Sequence, residues 1–413
     1  MKRVVVLAVA TLAAMSSWLF ADWPGYRGAE NTGVAAQSMP ARAGALKEAW
    51  HIPLGEAFGE MAVAGDKAYV FGCRGDDEVV CALDAKTGKE LWATTIDKTL
   101  KEENGNGPRT TPAIEGGHVY VYGTFMTLAC LDAASGKEVW KHDITAEFGG
   151  RMKGSIKLWG NAVSPLVVGD VVIVEGGEAG KGILAFDKNT GRLAWGATDD
   201  AMTHATPTVA TILGQKQVIC FMQSGLVSVD PASGSVLWRF AHPYKFCTGA
   251  SPVVGGKNGD VVYCSAAYGV GSAACRITHA DGKWLASPLW RVEGGNQSHW
   301  STPVHYNGYL YGLFGHNEDK GPLACVDIET GDVKWSQPGF GSQGGMIRVG
   351  DNLVVHLPTG ALVIVAASPD GYKELSRGGA FKGRSWMAPG YSDGRIYARS
   401  TTEGACFELV ANP

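Results

Sequence analysis

The sequence is short of several things, and each absence removes a class of function. Only 18% of its 413 residues are charged, and 36 Lys and Arg stand against 40 Asp and Glu. That balance argues against nucleic acid as a partner. After the first 21 residues no apolar run is long enough to cross a bilayer. There is no CxxCH haem signature, no CxxC metal pair, no HExxH, no GxSxG elbow and no phosphate loop. Haem attachment, peptidase, esterase and nucleotide chemistry therefore have no support, and no resident metal is expected.

What is present begins with an export pattern. Lys2 and Arg3 precede an apolar run from Val4 to Ala14, and "SWLFA" ends at Ala21. This reads as a signal peptide over 1–21, too short to serve as a membrane anchor, with a mature chain of 22–413 in the periplasm or outside the cell. The first cysteine is Cys73, so no lipid anchor is expected at the cleavage point. Nine cysteines leave at least one unpaired. Cys130 and Cys325, at equivalent repeat positions, read as core residues. Cys73 with Cys81, and Cys264 with Cys275, are candidates to face each other across hairpins.

With 45% hydrophobic residues and 57 glycines, the chain has a large core and too many turn residues for a helical one. Its dominant feature is a repeat. The frame Asp, four residues to Gly, four more to Trp occurs as Asp84/Gly88/Trp92, Asp132/Gly136/Trp140, Asp187/Gly191/Trp195, Asp230/Gly234/Trp238 and Asp327/Gly331/Trp335. Repeats of roughly 40 to 50 residues mean a solenoid, propeller or array. Each frame closes an alternating run and supplies a turn with glycine where φ must be positive, so it is a hairpin. It lacks the spaced oxygens of a calcium loop.

A second element lies upstream of each hairpin: Ser or Thr, then Pro, then a Gly and a Val- or aromatic-rich strand, as in "TTPAIEGGHVYVYG" and "STPVHYNGYLYGLFG". Two strands from each element make a four-stranded antiparallel unit. Eight units occur, and the ends are complementary: "LKEAWHI" is a closing strand with nothing before it, while "GRIYARSTTEGACFELV" lacks one after it. The expected fold is therefore all-β, an eight-bladed β-propeller whose ring is closed by the N-terminal strand in the last blade. A linear solenoid would need caps at both ends instead. The repeated Trp residues are expected to dock one blade on the next.

The repeated Asp-x-x-Thr/Ser-Gly-x-x-x-Trp frame resembles the pyrroloquinoline quinone (PQQ) dehydrogenase-like propeller superfamily, over essentially the whole mature chain. "DWPGYRGAENTGVA", Asp22 to Ala35, resembles the start of exported PQQ-like repeat proteins. The resemblance implies the fold directly. For function it implies PQQ with calcium as a cofactor, although the adjacent Cys-Cys pair of quinoprotein alcohol dehydrogenases is missing here. It equally implies an envelope scaffold with protein partners.

Residues just ahead of the Ser/Thr-Pro elements converge on one face of a propeller's channel. They are Phe58, Arg109, Asn161, His204, Thr248, His299 with Trp300, Gln343, and Arg384 with Trp386. Trp159 lies beside them. The predicted site takes His204 and His299 as acid/base candidates and Arg109, Trp159, Asn161, Trp300, Gln343, Arg384 and Trp386 as ligand-binding residues. Nearby loops carry Arg151, Lys153 and Lys157, and His316, Glu318, Asp319 and Lys320, enough positive charge to attract an acidic ligand. The expected function is binding of a small polar or saccharide ligand in the central funnel, with carbohydrate-active chemistry or PQQ-dependent dehydrogenation as the enzymatic options and a protein-binding scaffold as the third reading.

Overall fold

The computed structural model of the protein describes residues 22–39, 43–151, 154–177, 179–316 and 320–411. The expected signal peptide, Lys153, Glu318 and Asp319 lie outside them. The 32 strands form eight four-stranded antiparallel sheets. Blade 1 is Ala62–Ala64, Lys67–Arg74, Asp77–Asp84 and Glu90–Lys98. Blades 2 to 7 follow with innermost strands at Ala113–Glu115, Leu166–Val168, Thr208–Ile212, Val253–Gly255, Val304–Tyr306 and Gly345–Val349. Blade 8 takes Gly390–Ser392, Arg395–Arg399 and Glu403–Ala411 from the C-terminal end. Its outermost strand is Ala43–Pro53 from the N-terminal end, with Trp50 opposite Cys406 and Pro53 opposite Glu403. The seam expected from the two part-repeats is present, and it brings the last blade to four strands like the others.

The repeat frame has a physical explanation at every position. In blade 1, Asp84 Oδ1 accepts from the Thr87 amide at 2.8 Å and from its hydroxyl at 2.7 Å, and the Gly88 amide donates to the Asp84 carbonyl at 2.8 Å. Gly88 has φ 71°, which a side chain disfavours. A Cβ there would also lie 3.0 Å from the ring of Trp50. A frame Trp lies in the same way over the frame glycine of the following blade where that blade has one: Trp92 over Gly136, Trp140 over Gly191, Trp195 over Gly234. Its indole donates to a carbonyl in that turn, Trp92 to Ala133 at 3.2 Å and Trp140 to Lys188 at 3.1 Å. Blade 5 has no frame, and Trp238 donates instead to Gln217 Oε1 at 2.7 Å.

The core lies between blades. Ala62, Val80 and Ala82 of blade 1 pack against Val119, Ala129 and Leu131 of blade 2, and each later pair repeats the pattern. All nine cysteines are free thiols. The two pairings considered from sequence are out of register: Cys73 lies opposite Glu78 and Cys81 opposite Val70, while Cys264 lies opposite Ala273 and Cys275 opposite Val262. Cys130 and Cys325 are fully buried in the core.

Candidate functional site

Residues 22–39 run across the ring axis. The Trp23 amide donates to Val63 of blade 1 at 2.8 Å, and Ile114 of blade 2 donates to Pro24 at 2.7 Å. Further on, Ala35 donates to Arg348 of blade 7 at 2.8 Å, and Tyr391 of blade 8 donates to Ser38 at 3.3 Å. Between these ends the tip reaches the opposite side. Tyr26 Oη lies 3.3 Å from Thr302 Oγ1, and Arg27 donates to the carbonyls of Thr302 and Pro303 at 2.8 and 2.7 Å. Blades 1 and 5, like 2 and 6, are diametric in an eight-membered ring, so this segment forms a floor. "WPGYRG" suits the path: Gly28 has φ 81°, and a Cβ there would meet the Trp23 ring at 2.9 Å.

Above the floor is a cavity of about 890 Å³, within the range of small-ligand sites. Of the residues expected from sequence, Arg109, Trp159, His204, His299, Trp300, Gln343, Arg384 and Trp386 all line it, with Phe58. Asn161 and Thr248 do not. Asn161 is fully buried, accepting from Val163 N at 2.9 Å and donating to Gly123 and Val163 carbonyls. Thr248 donates to Ser265. The reason is alternation along extended chain. The position three residues before the innermost strand's Pro, or its equivalent, faces the cavity as Phe58, Arg109, Ala162, His204, Gly249, Trp300 and Trp386. Asn161 and Thr248 are one residue off and are buried in the blades, whereas His299, at the same offset in its repeat, does line the cavity.

Aromatic rings follow one another around the mouth. Centroid separations are 5.6 Å for Phe58 and Trp386, 5.2 Å for Trp386 and Trp300, and 4.3 Å for Trp300 and His299. They continue at 5.2 Å to Tyr268, 5.3 Å to Phe246, 5.4 Å to Trp159 and 6.1 Å to His204. Trp159 is brought there by the short helix Gly154–Trp159. Two guanidiniums lie over this arc: Arg109 is 4.9 Å from the Phe58 centroid and Arg384 is 5.0 Å from that of Trp386. Arg109 pairs with Glu102, and Arg384 donates to the Asn104 carbonyl. Both partners belong to the connection between blades 1 and 2. Arg384 is exposed and keeps donors for a ligand. Arg151, Lys157 and Lys320 are exposed and are not part of the lining.

Burial sets the charge state of the histidines. It pulls His299 down to about 3, with His316 and His204 adding to the effect, and His204 down to about 4, with Arg109 adding. At neutral pH both rings are uncharged and serve as hydrogen-bonding groups, one nitrogen donating and one accepting; as bases they are weak. His299 Nε2 lies 3.0 Å from Cys247 Sγ, and burial pushes that thiol up to about 11. On the floor, Glu60 Oε2 accepts from the Arg27 amide at 2.9 Å, and burial raises Glu60 to about 7.

Cys247, Tyr268, Tyr26, Arg27 and Glu60 were not among the expected site residues. Tyr268 sits in the turn between the second and third strands of blade 5, and such turns reach the same face as the connections between blades. That topology offered a signal for Tyr268. Nothing local in the sequence placed the N-terminal segment under the channel.

The PQQ and calcium implied by the resemblance can be tested against these residues. Calcium takes six to eight oxygens, usually with several carboxylates. The lining offers the single carboxylate Glu60, already committed to Arg27, and among the described residues no group of three or more His, Cys, Asp or Glu could hold a metal ion. The donor set does not fit a calcium-bound quinone.

Ring, seam and floored channel define the class, an eight-bladed propeller with a central cavity open at one face. Residues 76–301 match the PQQ_2 family model, described as Outer membrane protein assembly factor BamB, and the chain belongs to that family. It is 27% identical over 304 residues to the outer membrane protein assembly factor BamB of Burkholderia pseudomallei (strain K96243), covering 70% of this chain and 68% of that protein. It is 24% identical to a polyvinylalcohol dehydrogenase from a Pseudomonas species, over 89% of this chain but 46% of the dehydrogenase. In structure it resembles the quinohemoprotein alcohol dehydrogenase of Comamonas testosteroni, with TM-score 0.68 at 15% identity over 95% of this chain and 81% of that one. It also resembles BamB from Moraxella catarrhalis, with TM-score 0.62 at 15% identity over 88% and 100%. These likenesses confirm the fold expected from the repeats.

Proposed function

We propose that this chain is an exported propeller that binds a small polar ligand, a saccharide carrying an acidic group, in its floored central cavity. One observation carries the reading: an arc of aromatic rings with Arg109 and Arg384 over two of them, facing a floored space of about 890 Å³. Aromatic faces stack on the apolar faces of sugar rings, uncharged His204 and His299 suit hydroxyls, and Arg384 suits a carboxylate. The mismatch with calcium weighs against the quinone-dependent dehydrogenase reading.

Thermal denaturation of the mature chain tests this against its rivals. Oligogalacturonate should raise the melting temperature, and neutral maltotriose should do so less. A shift with PQQ and calcium, and none with the acidic sugar, would favour the oxidoreductase reading. No shift with any of them, together with stable co-purification of an envelope protein, would favour a scaffold.

A further inference from the structure

We propose that a second cavity, between blades 8 and 1 and separate from the central one, is a binding site for a small monovalent anion. The space is about 260 Å³ and is lined by Arg399, Arg74, Glu90, Cys73, Cys81 and Gly55, among others. Arg399 is 1% exposed. Its guanidinium donates to three backbone carbonyls, Ser400 at 3.1 Å, Phe71 at 3.1 Å and Gly55 at 2.7 Å. A guanidinium has five N–H donors, so two remain.

Carbonyl oxygens solvate the cation without neutralising it. Among the described residues no carboxylate pairs with Arg399. The acid of this cavity, Glu90, is bonded to Arg74. Burial pulls Arg399 down to about 10, which leaves it charged at neutral pH. Its titratable neighbours are Cys81 and Cys73, whose thiols burial pushes up, Cys81 to about 11, so neither supplies a negative charge. An isolated buried charge is costly, and such charges are normally paired. Here an empty space lies beside a cation with two unused donors. Its size admits an anion of a few heavy atoms, such as chloride, nitrate, formate or acetate.

Cys73 reports on this cavity, because it lines it and is the one cysteine that is not buried. The mature chain is treated with anionic 2-sulfonatoethyl methanethiosulfonate and with its cationic trimethylammonium counterpart, and labelling of Cys73 is followed by mass spectrometry relative to free glutathione. The anionic reagent should be favoured about tenfold, as expected of a focused positive field. Sodium bromide should slow it more than sodium gluconate of equal ionic strength. Crystals soaked in bromide should show an anomalous peak beside the Arg399 guanidinium. Arg399→Gln should remove the preference; where that variant does not fold, bromide competition on the unaltered chain decides. Equal rates for the two reagents, no effect specific to bromide and only water beside Arg399 would overturn the proposal.

Discussion

Arg27 Nη1 donates to the carbonyl of Thr302 at 2.8 Å, although 275 residues separate them. With the bonds from Nη2 to Thr32 at 2.8 Å and Pro303 at 2.7 Å, it fixes the floor to blade 6 from a segment anchored on blade 1. Arg27→Ala removes the two hydrogen bonds that a buried charged group makes to blade 6, each worth about 1.5–3 kcal/mol. Unfolding in urea should show a loss of about 3–5 kcal/mol. A loss under 1 kcal/mol would mean that the floor is not part of the folded ring.

Rim and mouth tryptophans should separate cleanly. Trp140 lies against Gly191 and is 9% exposed, so Trp140→Ala should cost about 3–5 kcal/mol of stability and leave affinity for a cavity ligand within about twofold. Trp386 is half-buried on the cavity. Trp386→Ala should change stability by about 1 kcal/mol or less while weakening ligand binding at least about tenfold, since an aromatic stack contributes about 1–3 kcal/mol. Paired urea titrations and calorimetry measure both quantities.

Stability should fall in mild acid. His204, His242 and His356 are lowered to about 4 and His299 to about 3, against an ordinary value of 6.5. Between those values the unfolded chain holds protons that the folded chain does not. Their contribution is therefore full above about pH 6.5 and is lost as pH falls towards 4. Glu60 and Glu78, raised to about 7 by burial, act oppositely: they favour folding in acid, and that contribution is lost as pH rises through 7. Burial also raises Glu175 and lowers His305; five imidazoles outweigh three carboxyls, so urea midpoints should decline from about pH 6.5 to about 4.5. His356, whose Nδ1 lies 3.2 Å from the Met387 carbonyl, is not itself part of the cavity lining, and His356→Gln should reduce the slope.

Glu175 is fully buried, and burial raises its carboxyl well above the usual range. Ionising it in that site is costly. Glu175→Gln should leave melting at pH 6 within a few degrees and raise it relative to the unaltered chain at pH 9, by scanning calorimetry.

The ring was legible because its causes are local and repeated: an Asp to cap the turn, a Gly for positive φ and for room under the preceding Trp. The seam followed from two fractions of one repeat. The cavity lining was legible by position, since chain before each innermost strand runs along the channel, and Arg109, His204, Trp300 and Trp386 are there. Asn161 missed by a single residue, which in extended chain turns the side chain to the other face. Tyr26 and Arg27 were not legible, because a non-repeating segment is placed by contacts with six different blades and carries no period of its own. The cysteine pairs failed on strand register, which depends on turn lengths at each hairpin.

The most direct test is calorimetric titration of oligogalacturonate into residues 22–413 and into the Trp386→Ala, Arg384→Ala double variant of the same residues. The cavity reading predicts one saturable site in the unaltered chain and at least about tenfold weaker binding in the double variant, with urea midpoints nearly unchanged. Equal heats for both proteins, or none with the unaltered chain, would contradict it.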